Sequence, residues 1–132
     1  MAATPQRPVD RFFARLTAEK PVWRLNWGIA DDPTPFQPVP CPGALAPTAD
    51  TAGESLWLRI ERQTLRRLPQ TLAVVFTIRT HITRLDTAIA TAATAAELAA
   101  ALRDMAPATQ AYKHIAPIRS ALLAWLDRRA GG

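Results

Sequence analysis

The chain has almost no cysteine, since Cys41 is the only one among its 132 residues. A disulfide framework and a cysteine-based zinc site are therefore both excluded within one chain. The sequence also lacks a run of about 18 apolar residues, which argues against a helix across a membrane. Its first residues, "MAATPQRPVD", contain no apolar segment of the kind found in a signal peptide. These absences predict a reduced, cytoplasmic protein with no membrane partner.

Short motifs that would identify a reaction are absent as well. The sequence contains no glycine-rich phosphate loop, no HExxH, no GxSxG and no CxxC. Cys41 lies among prolines with no base near it in sequence, so we do not expect it to act as a nucleophile. His114, in "YKHIAP", is predicted to be an exposed residue before a helix.

The charge balance is basic, with a net charge of +5 and a sequence pI of about 10.6. These values pass the crude threshold for a nucleic-acid-binding domain, which stays an alternative. However, fourteen of the sixteen basic residues are arginine, and they are spread along the chain among acids such as Asp10 and Asp104. No dense basic block is present, and this distribution argues against a nucleic-acid partner.

Hydrophobic periodicity divides the chain into helical and extended segments. The patterns predict an amphipathic helix over 8–19, strands over 22–29, 56–61 and 72–83, helical turns over 62–68, and helices over 95–105 and 115–129. Six prolines predict a long loop over 31–54. Because strands are grouped together and helices follow, the order predicts an α+β fold with an antiparallel sheet, in a single domain over 1–132.

Each predicted strand has one apolar face and one face with polar groups. The polar residues of the three strands are Arg24, Asn26, Arg59, Glu61, Thr77, Arg79 and His81. If these faces are aligned in the sheet, they form a patch of arginines with one carboxylate and one imidazole. Arginine binds carboxylates bidentately, and imidazole can ligate a metal or transfer a proton. The alternative is a solvated sheet face or a set of structural ion pairs, which is the more common arrangement.

Four segments of the chain resemble one protein family. They are "PVDRFFARL", "PVWRLNWGIADDPTPFQP", "LRIERQTLRRLPQTLAVVFTIRTHI" and "YKHIAPIRSALLAWLD". Together they resemble the haem-dependent oxidative N-demethylase family, from about Pro8 to Asp127. The resemblance implies a PAS-like α+β domain that binds haem b and uses O₂ to demethylate a secondary amine such as dimethylamine. It further implies that electrons arrive from NADPH through flavin and iron–sulfur partner subunits.

The same resemblance suggests roles for the polar residues of the strands. Glu61 and Arg79 become the candidate catalytic residues, and Glu61 with Asn26 becomes a candidate for binding the amine. The candidate haem-binding residues are Arg24, Asn26, Arg59, Arg79 and His81. The resemblance gives no metal ligand, so the axial ligand of the iron is left unknown.

The resemblance implies that family members are longer and that this chain corresponds to their C-terminal portion. We therefore expect a truncated sheet with open strand edges, and a possible partner chain that carries the N-terminal portion. Position 72 is leucine, where the family usually turns with glycine. A non-catalytic PAS-like interaction or sensor module is the alternative function.

Overall fold

The computed structural model describes residues 6–36 and 46–132. In chain order these residues form α1 (Gln6–Arg15), β1 (Val22–Ala30), α2 (Ala52–Ser55), β2 (Trp57–Arg67), β3 (Val74–Arg84), α3 (Leu85–Ala88), α4 (Ala92–Asp104), α5 (Pro107–Tyr112) and α6 (Arg119–Gly131). The three strands form a sheet in the order β1-β2-β3. The predicted α+β class and antiparallel sheet are confirmed, whereas the PAS-like identity stays a prediction.

None of the helices in the two described ranges has the length and apolar content needed to cross a bilayer. Of the proline-rich segment 31–54, residues 37–45 lie outside the described ranges, and Cys41 is among them. The expectation that Cys41 is unreactive therefore stays a prediction.

The register of the β2–β3 hairpin follows from hydrogen bonds at its two ends. The amide of Leu68 donates to the carbonyl of Ala73 at 2.8 Å, and the amide of Leu85 donates to the carbonyl of Leu56 at 2.9 Å. Both bonds give the same antiparallel alignment, so the strands pair without a bulge. Because side chains alternate between faces, this register decides which residues of β2 and β3 share a face.

The central strand is longer than its sequence predicts. We expected helical turns over 62–68, but β2 continues as a strand to Arg67, so that prediction is wrong. Local propensity is a weak signal here, because β2 lies between two partner strands and its backbone hydrogen bonds are satisfied on both sides. The burial of Gln63 within this segment marks it as an inward-facing strand position.

The described residues fall into two compact units. The first contains Met1–Asn26 and Glu61–Arg79, and the second contains Trp27–Ile60 and Thr80–Gly132. The boundaries cut across all three strands, so each strand contributes residues to both units. The prediction of a single domain stays a prediction.

The second unit has a closed hydrophobic core. Its largest fully buried side chains are Leu56, Leu85, Leu102, Ile115, Leu122 and Leu126. The long helices α4 and α6 supply three of these six, Leu102, Leu122 and Leu126. The alanine-rich α4 has high helix propensity, and a capping box of Thr91 and Thr94 satisfies amide groups at its start. An exposed ion pair between Arg103 and Asp127 at 2.6 Å joins the two helices and adds little stability.

A glycine allows α2 to pack closely against α6. A Cβ atom added at Gly53 would lie 2.7–2.8 Å from three atoms of the Trp125 indole ring. Such a distance is well inside van der Waals contact. The indole can therefore lie over α2 only because position 53 has no side chain.

We expect Gly53→Ala to destabilise the second unit by about 1–3 kcal/mol, because the indole must move within a packed core. The matched control is Gly131→Ala in α6, where an added Cβ meets nothing within 4 Å. That control should change stability by less than about 1 kcal/mol, in the stabilising direction. Urea denaturation followed by circular dichroism measures both, and equal effects would contradict the proposed contact.

The first unit is packed very differently. Among its described residues only Leu16 and Gln63 are buried. Of the eleven large hydrophobic residues that are exposed in the described ranges, nine belong to this unit. They include Trp23, with 59% of its surface exposed, and Leu25, with 61%. Trp23 and Leu25, in the first half of β1, are therefore exposed, whereas Ile29, which belongs to the second unit, is buried.

The loop between β2 and β3 contains a strained residue. Leu72 has a φ of 59°, in the left-handed region that residues with a Cβ rarely adopt. Its amide donates to the carbonyl of Leu68 at 3.0 Å, which closes the loop. Because the Leu72 side chain is 63% exposed, it gains little burial to offset the strain.

We expect Leu72→Gly to stabilise the protein by about 0.5–1 kcal/mol, since glycine adopts positive φ without steric cost but loses more entropy on folding. Leu72→Ala separates the side chain from the backbone, because alanine keeps the strain and should be close to the wild type. Leu72→Val should be less stable than either. If Leu72→Gly is no more stable than Leu72→Ala in urea denaturation, the positive φ of this residue does not destabilise the protein.

Candidate functional site

A cleft of about 760 Å³ lies within the first unit, between α1 and one face of the sheet. Its lining residues are Val9, Phe12 and Phe13 from α1, Val22, Trp23 and Arg24 from β1, Gln63 and Leu65 from β2, and Val74 and Phe76 from β3. The lining is mostly apolar, with a guanidinium and a carboxamide as its polar groups. A cleft of this volume and composition is typical of a site for a small molecule or a cofactor. We call this site the α1 cleft.

The outer wall of the α1 cleft is an amphipathic helix. Val9, Phe12 and Phe13 recur at helical spacing and line the cleft from the same side. The rings of Phe12 and Phe13 meet edge to face, with centroids 5.7 Å apart and planes at 77°. Phe12 is nevertheless 45% exposed, so the helix does not close the cleft.

One arginine fixes the position of this wall. Arg67, at the end of β2, donates to the carbonyl of Phe13 at 2.6 Å and to the carbonyl of Leu16 at 2.7 Å. These carbonyls lie at the C-terminal end of α1, where backbone acceptors lack helical partners and the helix dipole is negative. Arg67 also donates to the carbonyl of Leu72 at 2.6 Å. It therefore links the helix, β2 and the hairpin loop.

We expect Arg67→Ala to destabilise the first unit by about 2–3 kcal/mol, because three charge-assisted hydrogen bonds are lost together. Arg67→Lys should recover only part of this, since an ammonium cannot reach three divergent carbonyls as a guanidinium does. Arg66→Ala is the control, because the exposed neighbouring guanidinium should contribute less than about 0.5 kcal/mol.

Hydrogen exchange of residues 8–15 is the sharper measurement for these variants. Faster exchange of α1 in Arg67→Ala, with exchange in α4 unchanged, is the expected pattern. Uniform changes across both helices, or equal effects of the two alanine variants, would show that Arg67 does not hold α1.

A polar network extends from the α1 cleft along the strands. Arg24 donates through Nε to Oε1 of Gln63 at 2.7 Å, and Gln63 donates through Nε2 to Oε2 of Glu61 at 3.1 Å. Asn26 donates through Nδ2 to the same Glu61 oxygen at 3.5 Å. The sheet register thus brings together three of the predicted site residues, Arg24, Asn26 and Glu61. Apart from Nε, no nitrogen of Arg24 pairs with a group in the described ranges. Its two terminal guanidinium nitrogens can therefore donate hydrogen bonds to an anion.

The register separates Arg79 from this group. Counting from the Leu68–Ala73 bond, Gln63 lies opposite Ile78 and Arg62 lies opposite Arg79. Arg79 is therefore on the other face of the sheet from Arg24 and Glu61, and its side chain is exposed. The sequence pattern suggested one aligned polar face. Within the first unit, Arg24, Asn26 and Glu61 follow that alignment, whereas Arg79 does not.

The two remaining candidates belong to the second unit. Arg59 is half-buried and donates to the carbonyl of Pro35 at 2.8 Å. His81 is exposed, and the Leu56–Leu85 bond places it opposite Ile60, on the other face from Arg59. Neither residue lines the α1 cleft. The haem-binding roles suggested for them stay predictions.

The remaining titratable groups do not form a second site. No cluster of three or more His, Cys, Asp or Glu side chains suited to a metal occurs within 6–36 and 46–132. Hydrogen bonds from Thr34 hold the pKa of Asp32 below its usual value, and the Arg84 guanidinium does the same for the pKa of Asp86. Both residues are half-buried, and neither lines the cleft.

His114 is exposed as predicted, but its position has a structural explanation. It follows α5 with a φ of 53°, and the amide of the next residue, Ile115, donates to the carbonyl of Gln110 at 2.9 Å. This arrangement is a Schellman C-cap, in which the residue after the helix adopts the left-handed conformation.

Sequence reasoning missed Gln63 and Arg67, which connect the parts of the site. Both fall in the segment predicted as helical. Read as a strand, "ERQTLRR" places Glu61, Gln63, Leu65 and Arg67 on one face. That face is the floor of the α1 cleft.

A comparison with protein families gives one match that spans most of the chain. The model of a family described as haem-dependent oxidative N-demethylase, alpha subunit-like, matches residues 3–123. The matched range includes α1, the sheet and every residue of the α1 cleft.

Proposed function

The chain belongs to the haem-dependent oxidative N-demethylase alpha subunit-like family, and we propose that it takes part in the oxidative N-demethylation of a small secondary amine such as dimethylamine. In this reaction O₂ is the oxidant, and the products are the primary amine and formaldehyde. The observation that carries the proposal is the α1 cleft, which combines aromatic walls with an arginine that has an unoccupied edge.

The cleft fits the organic part of haem b. Phe12, Phe13 and Phe76 offer flat apolar surface of the kind that contacts a porphyrin ring, and the volume of about 760 Å³ is in the range of cofactor sites. Arg24 can bind a propionate carboxylate through its outer nitrogens, in the bidentate geometry that arginine favours. We therefore propose that this chain supplies a porphyrin-binding wall and one propionate contact.

The cleft does not fit the iron. Its lining contains no imidazole, thiol, thioether or phenol, and these are the side chains that ligate haem iron in proteins. An axial ligand must then come from outside the described lining of the cleft, and we derive no reaction step through the iron. Bound haem would supply the activation of O₂. The residues described here would bind and orient the porphyrin and the amine.

The polar network offers a place for the amine. A secondary amine is protonated near neutral pH, and its N–H groups need acceptors. Glu61 is a half-buried carboxylate that accepts hydrogen bonds from Gln63 and Asn26, which orient its oxygens. We propose that Glu61, supported by Asn26, attracts the cationic substrate to the edge of the cleft. Demethylation with O₂ also needs two electrons, for which we propose NADPH, supplied through flavin and iron–sulfur partner subunits.

A haemin titration of the purified chain, followed by the Soret band, tests the proposal. We expect saturable binding near one equivalent, with affinity lowered about tenfold in Arg24→Ala, because a charge-assisted hydrogen bond is lost. Phe76→Ala should also weaken binding. Arg103→Ala is the control, since this arginine pairs with Asp127 in the second unit.

Arg79→Ala and His81→Ala belong in the same titration, because they decide the sequence-based assignments. Weaker binding in these two variants but not in Arg24→Ala would move the haem contact away from the α1 cleft. Binding that does not saturate, or that is equal in all variants, would refute a haem site in this chain.

A second candidate function is a non-catalytic binding module. The lack of an iron ligand in the lining favours it. A chain that contacts only the porphyrin ring does not catalyse the reaction by itself. Saturable binding of iron-free protoporphyrin as tight as that of haemin would support this candidate, since the iron would then contribute nothing.

A further inference from the structure

The face of the sheet opposite the α1 cleft carries a separate set of residues within the first unit. The register assigns to it Trp23, Leu25, Arg62, Thr64, Arg66, Val75, Thr77 and Arg79. We call this surface the arginine face. The guanidinium of Arg62 lies over the Trp23 ring, 5.0 Å from its centroid, which shows directly that residues of β1 and β2 meet there.

The arginine face is open. All three arginines are exposed, and so are Leu25 and Thr77. Trp23 is 59% exposed even though Arg62 covers part of its ring. In the described part of the chain, no element of the first unit covers these side chains.

The unit that carries this surface is strongly basic. The first unit has nine basic and three acidic residues, a net charge of +6, whereas the second has seven basic and eight acidic residues, a net charge of −1. None of the three acids of the first unit lies on the arginine face. Arg62 and Arg79 lie opposite each other across two strands, where like charges repel. Among the described residues, no carboxylate pairs with Arg62, Arg66 or Arg79.

We propose that the arginine face is a docking surface for a partner protein that presents acidic side chains around an apolar centre. The unpaired guanidinium groups would take carboxylates, and the exposed surfaces of Trp23, Leu25 and Val75 would be buried between them. Tryptophan and arginine are the residues most enriched among the energetic centres of protein interfaces. Lysine and acidic residues, which interfaces tend to exclude, are absent from this face.

Composition favours a protein over a single-stranded nucleic acid. Sheets that bind single strands use successive aromatic side chains, each stacking a base. The arginine face has one aromatic residue, Trp23, and Arg62 already lies over its ring. The aliphatic Leu25 and Val75 offer no stacking surface.

The size of the face predicts a transient association. Three strands about 4.8 Å apart, with about five residues each at about 3.3 Å per residue, cover roughly 250 Å². A standard stable interface uses about 800 Å² of each partner. The arginine face alone would therefore support weak, rapidly exchanging and salt-sensitive binding.

Three defined probes of matched negative charge test the proposal. The first is a synthetic helical peptide with Asp and Glu on one side and a leucine stripe, the second is poly-L-glutamate, and the third is oligo(dT). Binding of each is measured by fluorescence anisotropy at low and at physiological salt. The face variant is the triple substitution Arg62→Ala, Arg66→Ala and Arg79→Ala.

The control variant removes the same number of charges elsewhere. It combines Arg84→Ala, Arg103→Ala and Arg128→Ala, three arginines of the second unit that pair with Asp86, Asp127 and Asp50. Circular dichroism of both triple variants checks that they fold. Replacement of the three face arginines by lysine keeps the charge but removes the bidentate geometry.

We expect the amphipathic peptide to bind more tightly than poly-L-glutamate, because only the peptide buries apolar surface on the face. The face variant should lose about tenfold in affinity for the peptide, the control variant less than about twofold, and the lysine variant should lie between them. Trp23→Ala should weaken binding of the peptide more than binding of poly-L-glutamate.

Three results would overturn the proposal. Tighter binding of oligo(dT) than of the peptide would assign the face to nucleic acid. Equal losses in the face and control variants would reduce the effect to net charge. Concentration-dependent self-association in sedimentation, lost in the face variant, would show that a second copy of the chain occupies the surface.

Discussion

The pairing of β2 with both of its neighbours is the constraint on which the other features depend. A strand places alternate residues on opposite faces, so one register decides every side-chain position at once. With β2 fixed against β3 by bonds at Leu68 and Leu56, Gln63 and Arg67 face α1, whereas Arg62 and Arg66 face away. Had the register slipped by one residue, Arg67 could not reach the end of α1, and the cleft would lose the residue that positions its outer wall.

The two units solve the problem of burial differently. The second has long helices that bury leucines completely, and glycine at position 53 lets an indole close over α2. The first is short, and its described part buries only Leu16 and Gln63. A single core rarely suffices in so small a unit. Its helix is instead attached by charge-assisted hydrogen bonds from Arg67, which fix position and direction without closing the apolar surface beneath.

The sequence predicted the class of the fold well and the site only in part. Period-two alternation located β1 and most of β3, and alanine content located α4, because those signals are local. The helical prediction for 62–68 failed because "RQTLRR" is rich in good helix formers, and pairing with strands distant in sequence overrides that local preference. For the same reason, Arg24, Asn26 and Glu61 were placed together correctly, whereas Arg79 was not. The polar faces of separate strands can be aligned only when the register is known, and no residue in the sequence specifies it alone.

The net charge and the exposed hydrophobic residues of the chain are distributed unequally between the two units. A net charge of +5 distributed evenly would describe a generally basic surface, but the structure assigns all of the excess to the first unit. That unit also holds nine of the eleven exposed large hydrophobic residues in the described ranges. Exposed apolar area and unpaired positive charge both oppose its stability in isolation, and both are relieved by an anionic, partly apolar ligand. A ligand that binds only the folded unit stabilises it by about 2.7 kcal/mol at one hundred times its dissociation constant. A ligand of either proposed surface would therefore stabilise the folded state of this unit.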